Sequence, residues 1–140
     1  MSRYVLDASV AVKLYVPEVH SDLAARFFAD GHELIAPDLL PSEFANILWK
    51  KSTQRGEITV SEGQRIITEF QSLPIDYYSS LDLLDEAFKI ATSTHRTIYD
   101  SLYVALAAQF GCQIITDDRK LFNSLKGTLF APLLSLLEDY

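Results

Sequence analysis

The sequence predicts an α/β fold, a mostly parallel central sheet of about four to five strands with helices on both faces. Three observations predict it. Short β-prone runs alternate with longer helical ones, glycine or proline stands at nearly every change of run, and the crossovers often have room for two helices. Tyr4-Val5-Leu6 reads as the first strand, ending at Asp7, and residues 8–16 as a helix that Pro17 stops. A second helix over 19–30 carries Leu23, Phe27 and Phe28 and ends at Gly31, where a C-terminus favours glycine. Residues 33–36 form the second strand, closed by Pro37. A long helix over 39–55 follows, with Leu40, Phe44, Ile47 and Leu48 on one stripe, and Gly56 ends it. The next helix, 60–73, carries Ile66, Ile67 and Phe70 up to Pro74, and residues 75–78 make the third strand. A helix from Ser80 or Leu81 to about Thr94 is expected to turn Leu84, Ala87, Phe88 and Ala91 inward. Residues 98–110 are apolar nearly all round, the mark of a buried helix. Gly111 ends it, 113–116 form the fourth strand, 118–125 a short helix, and 128–130 an expected edge strand. No repeat, low-complexity tract or linker interrupts the series, so the expectation is one domain over 1–140.

Composition narrows the function classes. Of 140 residues 49% are hydrophobic and 22% charged, which is ordinary for a globular chain and far from the disordered class. A lone cysteine, Cys112, excludes a disulfide scaffold, and no Cys/His set has zinc spacing. Arg3 and Asp7 break what a secretory segment would need to be, and Gln109, Gly111 and Gln113 interrupt the most apolar window, 101–116. A soluble, cytoplasmic protein without membrane partners is therefore expected. The formal net charge of −7 argues against broad electrostatic binding of nucleic acid. It leaves open a site where bound cations offset local negative charge.

Ligands of open parallel sheets bind beyond the carboxyl ends of the strands. Asp7-Ala8-Ser9 follows the first strand, and Thr116-Asp117-Asp118 ends the fourth, so two strands deliver carboxylates to one edge. Glu43 lies in the first turn of its helix and borders the apolar stripe. Asp100 is the only charged residue in 98–110. Each has a structural alternative: Asp7, Asp100 and Asp118 as helix N-caps, Glu43 as a complement to the helix dipole. Together they say more. Two unit charges about 4 Å apart cost on the order of 4 kcal/mol at an effective dielectric of 20. Such a cluster persists only with protons or cations, and oxygen-only ligands select Mg²⁺ or Mn²⁺. Magnesium uses few carboxylates plus water and phosphate oxygens, which points to phosphate-ester hydrolysis.

Four fragments occur in order: Val5-Leu6-Asp7-Ala8-Ser9, Pro41-Ser42-Glu43, the run from Tyr99-Asp100-Ser101 to Ala107, and Thr116-Asp117-Asp118. Together they resemble the PIN domain, in particular the VapC-type toxins of toxin–antitoxin pairs, over nearly the whole chain. The resemblance implies an endoribonuclease using Mg²⁺ or Mn²⁺. It makes Asp7, Glu43, Asp100 and Asp118 the catalytic cluster, with Asp7, Asp100 and Asp118 as metal ligands. Ser9 and Thr116 match positions of small supporting hydroxyls, and Asp117 stands at a variable place beside the preferred Asp118. The products implied carry a 5′-phosphate and a 3′-hydroxyl. Lys50, Lys51, Arg55, Arg96, Arg119 and Lys120 are candidates for a basic rim that grips RNA, each with a solvated-surface alternative. Tyr77, Tyr78 and Tyr99 are candidates for base stacking or for packing. His20, His32 and His95 show no ligand spacing. The resemblance further implies a small VapB-like antitoxin as partner and a homodimer, for which the helices 39–55 and 60–73 offer apolar contacts.

Rival readings fare worse. An aspartyl phosphatase wants a second carboxylate two residues after the first, where Ser9 stands. A receiver domain wants an acceptor aspartate after a middle strand, where Ser79 and Ser80 stand. The alternative of a different class is a non-catalytic PIN-fold module that binds RNA or protein.

Overall fold

The computed structural model describes residues 2–140. At its centre lies β1 (Arg3–Leu6), paired with β2 (Glu33–Pro37) on one side and β4 (Gln113–Thr116) on the other. β3 (Ile75–Tyr78) and β5 (Leu134–Leu136) complete the order β3-β2-β1-β4-β5, with every ladder parallel. Val5 registers with Ile35 and with Ile114, and all three are fully buried. Such near-continuous apolar strands are what a sheet covered on both faces requires.

The covering helices follow the expected order, with shifted ends. Asp7 caps α1 (Ala8–Ala11), which tightens into a 3₁₀ turn at Val12–Leu14 before Pro17. α2 (Ser21–Ala29) begins two residues later than the apolar pattern suggests, because His20 is left-handed (φ 68°) and Ser21 Oγ accepts from Glu18 N–H. α3 (Leu40–Trp49) does not run uniformly to residue 55 but passes into a π-helix over Lys50–Gln54. α4 (Val60–Phe70) opens on a capping box in which Thr59 and Glu62 satisfy each other's backbone. α5 (Ser80–Thr94) and α6 (Ile98–Phe110) form the third crossover, and α7 (Arg119–Leu125) the fourth. Among the described residues no helix is long and apolar enough to cross a membrane.

Two expectations need correction. On α5 the buried residues are Leu83, Ala87 and Ile90, while Leu84 and Phe88 are 40% and 62% exposed. The helix is rotated from the expected face because α6 packs along the 83–87–90 stripe. Residues 128–130 form no strand: Thr128 Oγ1 donates to Leu125 O and accepts from Phe130 N–H, which makes a turn. The edge strand is β5, where Leu134 registers with Ile114 after a 3₁₀ turn at Ala131–Leu133.

The topology dictates where a site belongs. The chain proceeds outward from β1 to β2 and β3, then returns to the other side of β1 for β4 and β5. The order therefore reverses between β1 and β4, and the crevice beyond their carboxyl ends is the binding position of such sheets.

Candidate active site

Asp7 and Thr116 leave the sheet at that reversal point. The Thr116 hydroxyl donates to Asp7 Oδ2 at 2.7 Å, and the Ser9 hydroxyl donates to the same oxygen at 2.6 Å. Each hydroxyl oxygen in turn accepts a backbone N–H, Ser9 from Asp117 at 2.9 Å and Thr116 from Asp118 at 3.0 Å. Both rotors are thereby fixed toward Asp7. Asp7 Oδ1 accepts from Ala8 N–H at 2.9 Å, so about one of a carboxylate's four acceptor positions stays free. Burial pushes the Asp7 carboxyl above its usual range; the hydroxyl and amide bonds oppose this, and the Asp118 charge adds to it.

Three more carboxylates share this end of the sheet: Asp118 and Glu43 interact with Asp7, and Asp100 with Glu43. Glu43 sits in the first turn of α3, where Tyr103 of α6 donates its hydroxyl to Glu43 Oε1 at 2.5 Å. Burial raises Glu43 to about 7, the Tyr103 bond opposing and the charges of Asp7 and Asp100 adding. Asp100 is not the cap of α6: that is Thr97, whose Oγ1 accepts from Asp100 N–H. Asp118 does cap α7, accepting from Leu121 N–H at 3.1 Å. Glu43 Oε2, Asp100 Oδ1 and Asp118 Oδ2 accept no hydrogen bond among the described residues. The donor set is thus oxygen only, with open lone pairs, and neighbouring charges add to the raised proton affinity of Asp7 and Glu43, which suits a hard divalent cation. Among the described residues no three His, Cys, Asp or Glu side chains stand close enough to cage an ion by themselves. That suits magnesium, which keeps several waters and takes one or two carboxylates plus substrate oxygens.

The basic candidates separate. Lys51 is no rim residue: it is 6% exposed, its ammonium bonded to Glu18 Oε2 at 2.8 Å and Glu57 Oε2 at 3.1 Å. Arg96 is paired with Asp100 Oδ2 at 2.6 Å and Arg119 with Glu138. Lys50, Arg55 and Lys120 are exposed and have no carboxylate partner among the described residues. Tyr77 and Tyr99 are exposed, whereas the Tyr78 ring packs on Phe110.

Sequence reasoning missed four participants. Lys13, 8% exposed, bonds Glu18 Oε1 at 2.9 Å and Asp117 Oδ2 at 3.1 Å, and His20 Nδ1 lies 3.0 Å from Asp117 Oδ1. Asp117 is therefore tied from two sides, and Glu18 bridges two buried ammonium groups. Only the fourth, Tyr103, left a signal in the chain: a phenol inside an all-apolar helix needs an acceptor somewhere.

A family model described as the PIN domain matches residues 4–127. The chain is 37% identical over 123 residues to the ribonuclease VapC3 of Pyrobaculum aerophilum, covering 85% of this chain and 92% of that one. It is 29% identical over 120 residues to the ribonuclease VapC9 of Mycobacterium tuberculosis, covering 86% and 89%. Among solved structures, PAE2754 from Pyrobaculum aerophilum superposes with a TM-score of 0.71 at 25% identity, over 99% of this chain and 85% of that one. The parallel order built on β1, the acidic residues at its reversal point and these matches agree: the chain belongs to the PIN domain family, among proteins of the VapC type.

Proposed function

We propose that this chain is a metal-dependent endoribonuclease, hydrolysing RNA phosphodiester bonds as the toxin of a VapBC-type toxin–antitoxin pair. The observation that carries this reading is Asp7 at the strand-order reversal, one oxygen held by two oriented hydroxyls, with Asp118 and Glu43 in electrostatic reach and Asp100 beyond Glu43. The ribonuclease names of its relatives support the same chemistry. Asp7, Asp100 and Asp118 would hold Mg²⁺ or Mn²⁺ between them, one or two by direct contact and the rest through the ion's waters; when bound, the ion lowers the pKa of a water and offsets charge on the phosphate.

The protein's own groups divide the remaining work. Ser9 and Thr116 keep Asp7 in one orientation at no cost in rearrangement. Glu43, anchored through Oε1 by Tyr103 and open at Oε2, is the carboxylate suited to take the proton of an attacking water, since its affinity is tuned near neutrality. A small VapB-like antitoxin and a second copy of the chain are the partners of this reading. Trp49 and Val60, 50% and 58% exposed at the end of α3 and the start of α4, offer apolar contact for the second copy.

The test is incubation of total RNA with the purified chain and Mn²⁺, Mg²⁺ or chelator, beside Asp7→Asn and Asp100→Asn. Discrete internal fragments are expected from the unaltered chain with metal only. Either variant should lower the rate at least about a hundredfold, the scale of lost metal or acid–base function. Intact RNA under every condition would remove the nuclease reading, and full activity in Asp100→Asn would remove the site assignment.

A further inference from the structure

Beside the acidic centre lies a cleft of about 290 Å³ lined by Ser9, Lys13, Glu18, Lys50, Lys51 and Arg55. Its two open cations, Lys50 and Arg55, stand out in an acidic chain. Four cations line it with Glu18; Asp117 and Glu57 pair Lys13 and Lys51 from outside the lining, which leaves the charge of Lys50 and Arg55 unpaired among the described residues in a protein whose net charge is −7. The backbone arranges this. Within the π-helix the N–H of Arg55 bonds Lys50 O at 3.0 Å, one residue beyond α-helical spacing, and Glu57 N–H reaches Lys51 O at 2.8 Å. Short π segments inside helices occur frequently at functional sites. This one turns Lys51 inward while Lys50 and Arg55 on either side of it stay exposed.

The four cations have two tasks. Lys13 and Lys51 are fixed behind the cleft by Glu18, one ammonium on each carboxylate oxygen, and are neutralised further by Asp117 and Glu57. Lys50 and Arg55 are uncommitted: among the described residues neither has a carboxylate within ion-pair distance, whereas Arg3, Arg65, Lys89, Arg96 and Arg119 each do. The cleft is also contiguous with the acidic centre, because Ser9 lines the one and bonds Asp7 of the other.

We propose that this cleft seats a backbone phosphate of the RNA strand next to the one being cleaved, gripped by Lys50 and Arg55. The inference rests on the nuclease reading and adds to it the substrate's path on the protein. A strand that places one phosphate among carboxylates, through a cation, meets its next phosphate among lysines and arginine. A polynucleotide, with a phosphate at every step, matches that alternation. An acidic peptide would need to carry its charge past Asp7. Phosphate contacts of this kind fix register and orientation and carry no sequence information.

The experiment measures binding of a short fluorescein-labelled single-stranded RNA by anisotropy across a salt series, with Ca²⁺ in place of Mg²⁺ or Mn²⁺ so that a cation is present, each reading paired with a gel that shows the RNA uncut. Lys50→Gln with Arg55→Gln is compared with the unaltered chain and with Lys126→Gln, an exposed cation away from the cleft. For every phosphate no longer neutralised, the slope of log K against log salt should fall by about 0.7 for a single strand. The double variant should therefore bind about tenfold more weakly at moderate salt, with a visibly shallower slope. In cleavage with Mn²⁺ its KM should rise by a similar factor while kcat stays within about twofold, because phosphate contacts are made equally in the ground and transition states. Unchanged slope and KM in the double variant, with cleavage intact, would overturn the cleft and leave the nuclease standing. RNA left uncut by the unaltered chain with Mn²⁺ would instead remove the reading beneath it. Displacement of the RNA by poly-glutamate from the unaltered chain but not from the double variant would assign the cleft to an acidic polypeptide, and so overturn the proposal.

Discussion

Thr116 shows how much one hydroxyl can hold. It is fully buried at the end of β4, donates to Asp7 and accepts the amide of Asp118, so it joins the ends of β1 and β4 through their functional carboxylates. Thr116→Val keeps the shape and removes both bonds. The half-buried Asp118 N–H loses its acceptor and Asp7 loses a donor, at about 1–3 kcal/mol of stability. The variant should unfold at correspondingly lower denaturant, and its kcat should fall because Asp7 is freer to turn. Ser9→Ala, at a less buried position, should cost less. Wild-type unfolding and kcat in Thr116→Val would show that the hydroxyl pair does not position Asp7. The spacing of Ser9 and Thr116 was legible in the chain, but their meeting on one oxygen was not, since residues 107 apart are joined only by the sheet register. The same limit hid the bonds of Lys13 and His20 to Asp117 and of Glu18 to Lys51, which join different crossovers.

Among the elements, helices apolar on one narrow stripe or nearly all round were legible, and those with a stripe wide enough for two phases were not. α6 is apolar nearly all round, so its burial followed without knowledge of its phase, and Ser101 through Ala107 are all buried. α5 carries Leu81, Leu83, Leu84, Ala87, Phe88, Ile90 and Ala91, wide enough to fit two helix phases. Only the docking of α6 selects Leu83, Ala87 and Ile90. Ile90→Ala should then cost about 2–5 kcal/mol, as for a buried aliphatic truncation. Phe88→Ser, at an exposed position, should stay within about 0.5 kcal/mol. Denaturant unfolding separates the two, and the reverse ranking would return α5 to the face expected from its sequence. The π-helix after α3 had no periodic signature either. Lys50-Lys51 looks like a solvated pair, and Lys51 is buried only because Glu18 and Glu57, from other parts of the chain, accept its protons.

At the scale of the whole molecule, an acidic centre in an acidic protein sets how stability responds to pH and to metal. Glu43 is held near 7 against an ordinary 4.5, and Asp7 is raised above 3.8. A carboxyl raised on folding keeps a proton that the unfolded chain has released, so between those limits the folded state is the more protonated and stability falls as pH rises. Glu18 works the other way. Burial favours its neutral form, but hydrogen bonds from Lys51 and Lys13 outweigh this and hold it below 4.5. Its contribution is present above that value and lost only as the solution becomes more acid, outside the window where Glu43 titrates. Without divalent metal, the unfolding midpoint should therefore decline from about pH 5 to about pH 8. Glu43→Gln should flatten that decline. Mn²⁺ binds the deprotonated cluster, so its stabilisation should be small near pH 5 and large near pH 8. At a hundred times its Kd a ligand adds about 2.7 kcal/mol, on the order of 5–10 °C in midpoint for a chain of this size. Thermal unfolding with Mn²⁺ and with chelator, at both ends of the range, reads all three effects. An equal metal shift at both pH values, or the same decline in Glu43→Gln, would mean that these carboxylates neither gather the cation nor carry the charge that destabilises the metal-free fold.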